Sequence, residues 1–205
     1  MQSKDHWEKV YTTKSTDEVS WFQEHAESSL RLIQETGVAL DAAIIDIGGG
    51  ASTLTDDLLA KGYSNLSVLD LSIASLHAAQ KRLGDLANQI IWLEADITKI
   101  EFPIHSFDVW HDRAVFHFLT SIEEREAYVQ AVLRAVKPGG HVIVATFAED
   151  GPLQCSGLPV KRYNKDELHA EFGDNFLLLK HEKESHNTPF ETLQQFTYCY
   201  CRKLV

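Results

Sequence analysis

The chain lacks long apolar runs, a cysteine framework and an excess of basic charge. No apolar run approaches the roughly 18–20 residues that a bilayer-spanning helix needs, so no membrane partner is expected. The opening "MQSKDHWEKVYTTKSTDEVSW" has no apolar core of the kind a secretory signal carries. Cysteine is sparse. Cys155, Cys199 and Cys201 are too few and too oddly numbered for a disulfide framework, and no CxxC or nearby histidine spacing marks a metal site. The expectation is therefore no metal and a reducing, cytoplasmic setting. Basic charge is also short, with 19 Lys and Arg against 30 Asp and Glu and a net charge of −11. Such a surface repels phosphate backbones, which sets nucleic acid aside as a partner. Repeats and low-complexity tracts are absent as well.

What is present fits one domain over residues 1–205. The length lies in the usual range for a single domain, and 44% hydrophobic residues are enough for a core. Residues 4–36 read as helical and aromatic-rich, through "HWEKVY" and "TDEVSWFQEHAESSLRLIQETG", with Gly37 as a stop. Strands and helices then alternate. Strands are expected at 42–47, 65–70, 89–96, 106–112 and 141–147. Helices are expected at 53–62, 72–84 (Ser72 as N-cap) and 121–136, with a turn at "KPGG", 137–140. This alternation predicts a doubly wound α/β fold with a parallel sheet and a ligand crevice at the carboxyl ends of the strands. A helix at 164–173 precedes two strands, 175–185 and 193–203, joined without a helix. They predict a hairpin, so the last strand runs antiparallel.

The first strand ends in "DIGGGAS". Glycines after a strand let the backbone approach a ligand closely. A dinucleotide fingerprint needs G-x-G-x-x-G, yet the third position here is Thr53. Asp46 is also awkward beside a pyrophosphate, and a cationic ligand removes the conflict. Asp70 ends the second strand, where an acid can accept both ribose hydroxyls of a nucleoside. Asp96 follows the third strand in "WLEADI", and the fourth delivers His111, Asp112 and Arg113, with His117 a turn later. Three carboxylates at one crevice repel one another unless a ligand engages them.

Asp46, Gly48 and Gly50 in "DIGGGAS", with "SVLDLS", "EADI" and "VKPGGHVIVATF", resemble class I S-adenosylmethionine-dependent methyltransferases. Ser52 stands where a third glycine is common. The resemblance implies a Rossmann-like sheet of seven strands in order 3-2-1-4-5-7-6, with S-adenosylmethionine as cofactor. It places cofactor contacts at Asp46, Gly48, Gly49, Gly50, Asp70 and Leu71. Asp96 and the Ile97 amide would hold the adenine, and Arg113 would meet the cofactor carboxylate. His117 and His111 are the candidates for a general base. The opening "HWEKVYTTKSTDEVSWFQ" looks like that of a small bacterial methyltransferase group in which residues corresponding to 1–36 fold over the cofactor as a lid. That resemblance brings Trp7, Tyr11 and Trp21 to the methionine end, where aromatic faces attract a sulfonium.

The expected acceptor is a small molecule. A protein lysine is the alternative, and a non-catalytic nucleoside-binding module is a further one. "HDRA" after the fourth strand lacks the "NPPY"-like pattern of adenine or glutamine methylation. The glycine-rich 151–163 loop occupies the place of a substrate loop, with Cys155 as a contact or a buried small residue.

Overall fold

The structure is a computed structural model and describes residues 4–205. The first three residues of the expected lid lie outside it. The first strand, β1 (Ile44–Ile47), is wholly buried and pairs in parallel with β2 (Leu66–Asp70) on one side and β4 (Phe107–Arg113) on the other. A short apolar strand flanked by parallel neighbours needs helices on both faces, and the chain supplies them. Completing the sheet are β3 (Ile90–Glu94), β5 (Val136–Phe147), β6 (Phe176–Asn187) and β7 (Leu193–Lys203). Its order is β3-β2-β1-β4-β5-β7-β6, and β7 runs antiparallel to both β5 and β6. The seven-stranded, mostly parallel architecture is thus as expected. A two-residue ribbon, Gln154–Cys155 against Leu158–Pro159, lies outside the main sheet.

Two apolar clusters sandwich the sheet. Ile44, Leu32, Ile33, Leu54, Leu58 and Leu76 pack on one face. These come from β1 and the helices α2 (Glu27–Glu35), α3 (Leu54–Ala60) and α4 (Ile73–Leu83). Ile45 and Ile47 point the other way, against α5 (Ile122–Ala135) and α6 (Lys165–Phe172). Local signals explain the helix starts. Ser72 accepts the Ser75 N–H at the start of α4, and Ser121 with Glu124 forms a capping box on α5.

Two expectations change. Residues 14–26 are turns and bends, and only α1 (Lys4–Thr13) and α2 are helical in the N-terminal segment. Tertiary partners claim the carbonyls that a helix would use. The Ser20 carbonyl accepts from His186, that of Trp21 from Arg113 and that of Gln23 from Thr53. The 137–140 stretch is not a separate turn. Strand β5 begins at Val136, Gly139 takes the bend at φ +76°, and pairing with β4 shifts register between Phe107 and Val109.

Candidate functional site

The carboxyl ends of β1 to β4 open into two adjoining cavities. The larger holds about 830 Å³ of atom-free space, its mouth included, within the range of small-molecule sites. Asp70, Leu71, Asp96, Ile97 and Gly48 border it from the strand ends, and Trp7, Tyr11 and Trp21 border it from the N-terminal segment. The second holds about 550 Å³ and is lined by Asp46, Gly48, Gly49, Ser52, Ser29, Gln23 and His111 among others. Tyr11, Trp21, Gly48 and Arg113 belong to both walls.

The glycine turn is tight because side chains crowd all three glycines. Gly48 has φ +68°, in the left-handed region, and a Cβ there would overlap the Val115 side chain. A Cβ on Gly49 would overlap Asp46, and one on Gly50 would overlap Asp70 and Ser75. Gly50 borders neither cavity; its role is to let the turn pass Asp70. Asp70 is buried, and Oδ1 accepts the Ser72 N–H at 2.8 Å. Burial pushes its carboxyl up to about 6, against the lowering pull of the Ser72 and Ser75 hydrogen bonds. Asp96 behaves oppositely. Burial alone would raise it, but Lys99 and Thr98 outweigh this and hold it below the usual carboxylate range.

The roof is aromatic. Trp7 stacks edge-on against Trp21 and Phe118, with centroids 5.7 and 5.3 Å apart, and the Trp21 indole N–H donates to the Tyr11 hydroxyl at 3.3 Å. Helix α1 is tied down by Glu8, whose carboxylate accepts the Ile73 and Ala74 N–H groups at the start of α4 (2.6 and 3.3 Å). Lys4 pairs with Glu94 on the same side. Cys155 closes another part of the wall as a buried residue, and burial pushes its thiol up to about 12, which makes it a packing group.

The structure corrects the readings of strand β4. Asp112 does not reach the crevice. It points to the opposite sheet face, where it accepts the Tyr128 hydroxyl and the Val115 N–H, and burial pushes it up to about 6. His117 is fully buried and borders neither cavity. Its Nδ1 accepts the Phe147 N–H at 3.2 Å, and burial, aided by Arg113, pushes it down to about 3. A neutral, enclosed imidazole is not placed to take a proton from an acceptor. His111 borders the second cavity, but Nδ1 meets Asp46 Oδ1 at 2.7 Å and Nε2 meets Ser29 Oγ at 2.8 Å. Both nitrogens are engaged, so it too is not a free base. Arg113 faces both cavities, yet its charge is paired with Glu184 at 2.9 Å, with Phe196 beneath at 4.2 Å. It is therefore not a free cation awaiting a carboxylate.

Sequence reasoning did not single out Ala114, Val115, Phe118 and Leu119, which also border the larger cavity. Ala114 has φ +76°, a strained position for a residue with a Cβ, and it swings the chain across the crevice. The "AVFHFL" run carries no polar signal that would have marked it.

The methyltransferase-domain family matches residues 44–140, the stretch from β1 into β5 that carries the glycine turn and Asp70 and Asp96. Together with the fold, this match supports a class I S-adenosylmethionine-dependent methyltransferase. Its similarity to human EEF1A lysine methyltransferase 2 is 25% identity over 194 residues, covering 87% of this chain and 75% of that protein. A ubiquinone/menaquinone biosynthesis C-methyltransferase of Coxiella burnetii is 29% identical over 134 residues, 63% of this chain and 50% of its own length. Among solved structures, the Burkholderia thailandensis 1,6-didemethyltoxoflavin-N1-methyltransferase, with bound 1,6-didemethyltoxoflavin and S-adenosylhomocysteine, superposes with a TM-score of 0.71. That match has 17% identity and covers 99% of this chain and 84% of that structure. These similar proteins are named for three different acceptors. Among its described residues, no helix is long and apolar enough to cross a membrane.

Proposed function

We propose that the enzyme transfers a methyl group from S-adenosylmethionine to a small-molecule acceptor enclosed beneath the N-terminal aromatic segment. The observation that carries this reading is the pair of adjoining cavities. One is largely apolar and bordered by Asp70 and Asp96; the other is floored by the glycine turn and Asp46. The residues fit the cofactor. Asp70 would accept ribose hydroxyls, Asp96 and the Ile97 amide would hold the adenine edge, and the Gly48–Gly49 turn would admit the amino-acid end. Asp46 Oδ2 is buried and has no protein hydrogen-bond partner, as expected of an oxygen kept for a cationic group.

When bound, S-adenosylmethionine supplies an electrophilic methyl carbon on a cationic sulfur. The protein's own part is alignment and exclusion of water. Trp7, Tyr11 and Trp21 cover the site as a lid formed by the segment up to residue 36, and their faces favour a positive charge beneath them. No histidine or lysine borders the larger cavity among the described residues, so neither residue type serves there as a general base. Enclosure by α1 and the Cys155 ribbon favours a small acceptor over a folded protein. The lysine reading keeps one specific support, the similarity to a lysine methyltransferase over most of the chain.

The deciding experiment incubates the purified enzyme with methyl-labelled S-adenosylmethionine and a host lysate split into small-molecule and macromolecular fractions. Label in the small-molecule fraction alone is the expected result. Label in a protein band replaces the small acceptor with a protein, and favours the lysine reading. Cofactor binding without label in either fraction favours a non-catalytic binder.

A further inference from the structure

The acid ahead of the glycine turn does not stand alone. Parallel pairing of β1 with β4 sets Asp46 opposite His111, and the strand alternation puts both on the face packed by α2. Both side chains are almost wholly buried, at 6% and 3% exposure. A carboxylate only accepts hydrogen bonds, so the His111 Nδ1–H donates to Asp46 Oδ1 at 2.7 Å. Nε2 then accepts the Ser29 hydroxyl proton at 2.8 Å. The other neighbour of Ser29, the Tyr198 hydroxyl, is farther away at 3.3 Å and gives its own proton to Glu184. Ser29 sits in the first turn of α2, so the chain of contacts runs from the N-terminal segment to the glycine turn.

The consequence concerns the other Asp46 oxygen. With Oδ1 occupied by an imidazole N–H, the carboxylate cannot rotate freely, and Oδ2 is left buried, without a protein partner, in a residue that lines the second cavity. We infer that His111 and Ser29 are positioning residues that hold Asp46 so that Oδ2 receives the ammonium of the cofactor's amino-acid end. A side chain that orients a ligating carboxylate acts through geometry, much as outer partners orient metal ligands. The assignment explains why a histidine stands at the end of β4 without access to a reacting atom. It also makes recognition of the amino-acid end depend on α2, a helix that lies outside the matched methyltransferase-domain stretch.

This inference rests on the cofactor-site reading above, and its test separates the two. Calorimetry on the full chain compares S-adenosylhomocysteine, which has the ammonium, with methylthioadenosine, which lacks the amino-acid end. In His111→Leu, S-adenosylhomocysteine binding weakens about tenfold, the scale of one lost charge-assisted contact, while methylthioadenosine is unaffected. His111→Asn, whose amide nitrogen can stand in for Nδ1, restores most of the loss. Ser29→Ala shows the same ligand-selective loss to a smaller degree, and serves if His111→Leu does not fold. Equal weakening for both ligands, or unchanged S-adenosylhomocysteine binding in every variant, overturns the inference. A wild-type protein that binds neither ligand instead overturns the cofactor-site reading, and this assignment with it.

Discussion

Asp70 holds the backbone at the end of β2 and also borders the larger cavity. Its Oδ1 is spent on the Ser72 N–H, and burial raises its carboxyl to about 6. Between the ordinary value of 3.8 and about 6, the folded protein holds this proton more tightly than the unfolded chain. This group's contribution to stability is therefore greatest below that window and declines as pH rises through it. Cofactor binding should run the opposite way, because an ionised carboxylate accepts two ribose hydroxyls better than a protonated one. Affinity should rise with pH through about 6 and level off above it, which calorimetry across a pH series would show. Asp70→Ala should cost roughly 1–3 kcal/mol of binding and abolish that rise. Unchanged affinity would reject the ribose role. The residue type and its place at a strand end were legible in the sequence. Its protonation behaviour was not, because burial comes from packing by the rest of the chain.

At the scale of elements, α1 is held by Glu8 at the start of α4, beside the strand end that carries Asp70. Helix α1 and the cleft that its Trp7 and Tyr11 border are thus joined by one carboxylate on two backbone N–H groups. Glu8→Ala should loosen α1 and speed cofactor release about tenfold, for a charge-assisted capping contact of the order of 1–2 kcal/mol. Stopped-flow fluorescence, with Trp7 and Trp21 as reporters, would measure it. An unchanged release rate would mean that α1 does not gate the cleft. The aromatic content of this segment was plain from the sequence, but the break in helix between α1 and α2 was not. Helical spacing over 16–26 lost to distant side chains that take its carbonyls.

At the scale of the whole molecule, the terminal hairpin does more than complete the sheet. Glu184 from β6 pairs with Arg113 from β4, and Gln23 of the N-terminal segment donates to the same Glu184 carboxylate. Burial alone would raise Glu184, but Arg113 outweighs it and keeps the carboxyl below its usual range. Each partner's side chain is 10% exposed, so removing one strands the other charge in the interior. Glu184→Ala should destabilise the fold by about 3–5 kcal/mol. Urea unfolding would show it as a lower midpoint, and a loss below about 1 kcal/mol would mark the pair as no better than a surface ion pair.

Local sequence was enough for the alternation of strands and helices, the antiparallel close of the sheet, and the acid and glycine positions at the strand ends. These follow from local periodicity, capping residues and the need of a nucleotide-sized ligand for close backbone approach. Which way each side chain of β4 points was set by packing across the folded chain. That choice turned His111 toward Asp46, Arg113 toward Glu184 and Asp112 toward Tyr128, and it enclosed His117. Such pairings depend on strand register and on helices far away in the chain, so no stretch of residues read alone contains them.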